Sequence, residues 1–138
     1  MTNTLDMKDI RYINLFSKIT KISTTYCFKY NDMIIFGVPE NLISKAVGED
    51  GKNVKRISEI TGKKIRIIKS PESIADARDF IKSVVAPVTF KHIEITDNDI
   101  IINAGSQNKA ALIGRNKRRL LELQKITKDY FRRDLKIV

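Results

Sequence analysis

AVGEDGKNVKRI, residues 46–57, decides how this chain is read. Two glycines, Gly48 and Gly51, bracket Glu49 and Asp50, and a basic, half-apolar run follows. Before the turn, residues 41–47 place Ile43, Ala46 and Val47 on one side of a short helix. After it, Val54, Ile57 and Ile60 (or Thr61) recur at helical spacing over residues 52–61. Gly62 then ends the run, as glycine does at helix C-termini. The stretch is therefore helix, glycine turn, helix. Alone, such a turn is either a connector with an N-cap acid or a loop that brings its backbone up to an anion.

Working outward, residues 5–20 carry Tyr12, Leu15, Phe16 and Ile19 at the spacing of an amphipathic helix. Two β-rich runs follow, 24–30 and 33–38, parted by Asn31-Asp32, a pair that suits a tight hairpin. Residues 63–69, KKIRIIK, read as a strand. The order is α-β-β-α-α-β. Beyond Ser70-Pro71-Glu72, Ser73 can cap a helix, with Asp76 in capping-box position and an apolar stripe of Ile74, Ala77, Ile81, Val84 and Val85. Strands are expected at 88–95 and 100–104, a short helix at 106–113, a longer one at 118–131 and a last strand at 134–138. The same order returns.

This is an internal repeat. Asp32 to Ile35 parallels Asp99 to Ile102, and Val47-Gly48 parallels Ile113-Gly114. Val54, Ile57, Ile60 and Thr61 match Leu120, Leu123, Ile126 and Thr127 at a constant offset. The expected domains are residues 1–70 and 71–138.

The chain has 138 residues, with 26 Lys+Arg against 16 Asp+Glu and a formal net charge of +10. So strong a bias in a short chain points to a polyanionic partner, most often nucleic acid. No apolar run approaches the roughly 18–20 residues that span a bilayer. The opening MTNTLDMKDIRYI has acids where a secretion signal would be basic and then apolar, so a cytoplasmic place and no membrane partner are expected. Cys27 is the single cysteine and His92 the single histidine. Without further ligands at suitable spacing, no metal or cofactor is expected. Cys27 reads as a buried strand position and His92 as a strand residue. No cluster of His, Cys or paired carboxylates supports catalysis, so the chain is not read as an enzyme and no small-molecule substrate is expected.

A helix–GxxG–helix element gathers unpaired backbone N–H donors where a helix dipole is positive, and anions bind there. Glycine lets a sugar-phosphate chain come close. The site residues of the first turn are Val47, Gly48, Glu49, Asp50, Gly51, Lys52, Val54, Lys55 and Arg56. Those of the second are Ile113, Gly114, Arg115, Asn116, Lys117, Arg118 and Arg119. Arg115, Lys117, Arg118 and Arg119 repel one another at a helix start, a cost that a phosphate partner offsets. Ile43, Val47 and Val54, with the edge strand, are candidates to receive bases.

On Ala46 to Val54 and the strands around it, the sequence resembles the KH family, in its type II order. Two tandem copies, the opening RYINLFSKIT at 11–20 and the APV at 86–88 are similar to the archaeal NusA-like transcription factors. The resemblance covers nearly the full length. It implies an α/β (α+β) fold of two tandem type II KH modules, each with a three-stranded mixed sheet and helices on one face. It also implies that the modules pack together as one surface for single-stranded RNA, used in elongation, termination or antitermination. RNA polymerase or other transcription factors enter as partners through the resemblance alone. Bacterial relatives carry a polymerase-binding domain and an S1 domain, neither of which is expected here. Two departures stand out. The second turn lacks its last glycine, and the first carries acids where cations are common in the family. A ribosome-associated or rRNA-processing role, and duplex-DNA binding by a helix-turn-helix, stay open as alternatives.

Overall fold

In the computed structural model, residues 7–138 are described, and they divide between Glu72 and Ser73 into two compact units. The expected first two residues of the opening helix lie outside the described residues. The first unit runs α1 (Met7–Thr20), β1 (Tyr26–Tyr30), β2 (Met33–Val38), α2 (Ile43–Val47), α3 (Lys52–Thr61) and β3 (Lys64–Lys69). β1 pairs antiparallel with β2 through a two-residue turn in which Asn31 and Asp32 both have positive φ, 51° and 61°. That geometry matches the twist of the strands it joins. β2 pairs parallel with β3. Parallel neighbours cannot be joined by a hairpin, so the chain must cross back over the sheet. The crossover is α2, the glycine turn and α3. The functional candidate therefore sits where the topology requires a detour.

All six residues of β2 are buried, which fits a central strand with both faces covered. Ile34, Phe36 and Val38 form one core with Phe16, Cys27, Ala46 and Ile57. Tyr12, Leu15 and Ile19 pack against it from α1, in the phase that the sequence predicts. Phe16 and Phe36 stack with centroids 4.4 Å apart. α1 ends by a small device. The Thr20 hydroxyl donates to Phe16 O and accepts from Ile22 N, so the chain reverses at Lys21, φ 63°. Thr61 does the same for α3, with Gly62 at the reversal.

The second unit runs α4 (Ala77–Val85), β4 (His92–Ile95), β5 (Asp99–Asn103), α5 (Lys109–Ile113), α6 (Arg118–Phe131) and β6 (Asp134–Ile137). Its sheet has the same pairing, β4 antiparallel and β6 parallel to β5. Ile100, Ile102 and Leu135 of its strands and Leu112 and Leu123 of its helices are buried. Ser73 caps the turn before α4 by accepting from Ala75 N. Phe80, outside the predicted stripe, is buried and meets Phe131 edge-on. β4 is shorter than the expected 88–95. Val88 N donates to Val85 O as the chain leaves α4, and pairing with β5 begins only near Lys91.

The architecture is thus mixed α/β, with two three-stranded mixed sheets. No described helix is long and apolar enough to cross a membrane.

Candidate nucleic-acid interface

The turn of the first unit uses backbone angles that few side chains adopt. Gly48 sits at φ 82°, ψ 161°, Asp50 at φ 56°, ψ 26° and Gly51 at φ 72°, ψ 18°. Gly48 N closes α2 by donating to Ser44 O, and Gly51 N closes the turn by donating to Gly48 O at 3.0 Å. Lys52 N donates to Glu49 O. The sequence places the spare donors in the first turn of α3. The amides of Gly51 and Lys52 are occupied by the turn itself. Gly48, with ψ 161°, breaks the helical path before Glu49 and Asp50, which stand exposed at the tip of the turn. The amides of the two acidic residues thus belong to the tip of the turn, ahead of the first turn of α3.

Asn53 holds this arrangement. Its Nδ2 donates to Lys45 O at 3.2 Å, tying the start of α3 to the end of α2. A Cβ at Gly48 would lie 2.9 Å from Asn53 Cγ, so glycine is required there by contact as well as by angle. At Gly51 an added Cβ meets nothing closer than Lys55 Cε at 4.0 Å. That face of the turn is open.

The second turn repeats the first. Gly114 sits at φ 77°, ψ 170°, Asn116 at φ 56°, ψ 28° and Lys117 at φ 60°, ψ 22°. Lys117 N donates to Gly114 O, and Arg115 and Asn116 stand exposed at the tip. Arg119 stands in for Asn53, its Nη1 donating to Ala111 O at 3.0 Å. Loss of the last glycine thus leaves the backbone unchanged. Lys117 bears the left-handed strain instead, about 1–2 kcal/mol for a residue with a Cβ.

Gly114 cannot yield in the same way, because its angles lie in a region open essentially to glycine and its Cβ would come 2.9 Å from Arg119 Cγ. Gly114→Ala should destabilise the second unit by about 2 kcal/mol, read as a lowered urea midpoint at unchanged slope.

Of the other predicted site residues, Val47, Val54 and Ile113 are half-buried beside their turns. Ile43, also half-buried, packs against the core, and α2 and α3 both contact β3. Arg115, Lys117 and Arg118 are exposed, while Arg119 is half-buried and engaged in holding the turn. Lys52, Lys55 and Arg56 are exposed but line a groove towards α1, together with Lys18 and Lys21. Ile60 does not face inward. It is 57% exposed, and Thr61 takes the inner position with its hydroxyl bonded to Ile57 O. Asn53, Lys18 and Lys21 escaped the sequence reading. Only Asn53 had a usable signal, since it stands at the repeat offset from Arg119.

No protein-family model matches the chain. A "Probable transcription termination protein NusA" of Methanococcus vannielii is 33% identical over 100 residues, covering 71% of this chain and 56% of that protein. The protein of the same name from Methanocaldococcus jannaschii is 28% identical over 128 residues, covering 90% of this chain and 68% of that one. The chain thus spans between about half and two-thirds of these relatives. The crystal structure of APE1850 shares the fold, with a TM-score of 0.65 at 22% identity over 96% of this chain and 99% of that one.

Proposed function

We infer that this relative of the archaeal NusA-like transcription termination proteins binds single-stranded RNA through two KH-type modules, residues 1–70 and 71–138, and acts in transcription through the RNA it holds. The observation that carries this reading is the recurrence of one turn. Two sequences as different as Gly48-Glu49-Asp50-Gly51 and Gly114-Arg115-Asn116-Lys117 adopt the same strained backbone, each with its two middle residues exposed at the tip. A mere connector gives no reason to keep Lys117 in a left-handed conformation.

Backbone N–H groups hold phosphates without regard to sequence, so Glu49 and Asp50 can sit in such a turn provided their carboxylates stay in water. Both residues are exposed. Bases then lie towards Ile43, Val47, Val54 and β3. Exposed base edges offer amino groups from which Glu49 or Asp50 could accept. No bond is made or broken. The relatives' name points to the transcription machinery for protein partners, and a cytoplasmic place is proposed with it.

Anisotropy titrations of the protein with an unstructured RNA and with duplex DNA test this. RNA should bind more tightly at equal salt. A clamp of about four nucleotides predicts a log–log salt slope near −3. Salt-insensitive RNA binding, or a preference for the duplex, would overturn it.

A further inference from the structure

The first unit has a second cationic surface that the turn does not account for. Between α1 and α3 lies an open groove of about 750 Å³. Lys18 and Lys21 line it from the end of α1, and Lys52, Lys55 and Arg56 from the start of α3. None of the five makes an ion pair among the described residues. Glu59 is the one acid lining it among those residues. The α1 pair suits the negative end of its helix dipole, but the α3 trio stands at a positive end, where cations are disfavoured. Leu15, Ile19 and the exposed Ile60 supply apolar wall. Ile126, the repeat counterpart of Ile60, is 3% exposed. The exposed apolar position is thus particular to the first unit.

We propose that this groove carries the sugar-phosphate backbone of the RNA beyond the nucleotides held at the first turn, so that α3 serves RNA on two sides. The proposal rests on the RNA-binding reading above. Continuity favours RNA, because Lys52 and Asn53 both line the groove and directly follow Gly51. Composition favours it too. Four of the five cations are lysines, which protein–protein interfaces disfavour and phosphates accept as point charges. Among the described residues no aromatic side chain lines the groove, so it suits a backbone track better than base stacking.

The test uses the whole chain with two RNA probes, a tetranucleotide and a twelve-nucleotide strand. Lys18→Gln/Lys21→Asn keeps an exposed polar surface and, at position 21, a residue tolerant of positive φ. This double variant should leave tetranucleotide affinity unchanged. It should weaken the twelve-mer about tenfold and make its salt slope shallower by about 1.4, for two lost phosphate contacts. Ile60→Glu, on the other wall, should act in the same direction. If both variants bind the twelve-mer as the parent does while Gly51→Asp weakens it, the groove proposal falls and the clamp stands. If Gly51→Asp is also silent, the clamp itself falls. Loss of poly-glutamate binding with intact RNA binding would make the groove a site for acidic protein segments and overturn the proposal.

Discussion

Phe36→Ala should destabilise the first unit by about 3–5 kcal/mol, the usual cost of removing a buried aromatic ring. Phe36 is fully buried at the middle of β2. Its register partners are Cys27 on one side and Ile67 on the other, and its ring stacks on Phe16. Collapse into the cavity would need β2 to move, but both its edges are hydrogen-bonded to neighbouring strands. The space therefore stays largely open, and the cavity term adds to the lost transfer energy. Phe36→Leu retains most of the volume and should cost well under half as much. Urea unfolding of the two variants checks this. A loss below about 1 kcal/mol for the alanine variant would mean that the stacked pair is not the centre of this core.

The predicted element order survives because it rests on punctuation with a local cause. Asn31-Asp32, Gly48, Gly62 and Gly114 each occupy positive φ, and such residues mark the chain wherever it must turn. The core of α3 was legible only in part. Ile60 and Thr61 both satisfy a helical period, and choosing between them depends on whether the Thr61 hydroxyl finds a partner. It does, within its own helix, so the polar residue goes inside and the isoleucine outside.

What stayed hidden depends on contact between distant segments. Lys18 and Lys21 lie more than thirty positions from Lys52, and no periodicity relates them. Asn53 and Arg119 look like ordinary surface residues of amphipathic helices until their side chains are seen reaching the Lys45 and Ala111 carbonyls. The placement of cations changed most. The sequence groups Lys52, Lys55 and Arg56 with the glycine turn. At 100° per residue, however, they fall on the face of α3 away from Val54, Ile57 and Thr61, towards the groove with α1. On the proposed reading, this separates two kinds of attraction for RNA that composition alone merges: backbone amides at the tip of the turn and a flanking track of side-chain charge.

Gly51→Asp distinguishes these contributions and should lower affinity for single-stranded RNA about a hundredfold, or about 2.7 kcal/mol, with the fold intact. The fold is expected to survive for two reasons. An added Cβ at Gly51 has open space before it, and aspartate is among the residues that visit left-handed angles readily. Lys117 already demonstrates a side chain at the equivalent position of the second turn, on the same backbone. On the proposed clamp, binding should suffer because the new carboxylate stands on the open face beside Glu49 and Asp50, adding a third negative charge where phosphate would approach. Charge-assisted hydrogen bonds of the kind it would block are worth about 1.5–3 kcal/mol each. Gly51→Lys separates sterics from charge, since it reproduces the second turn's residue. It should retain most of the affinity if repulsion dominates and lose it if the backbone approach is what matters. Matching urea midpoints would establish that the variants are folded. With folded protein, unchanged RNA affinity in Gly51→Asp would remove the first turn from the binding site and leave the basic side chains as the only contact there.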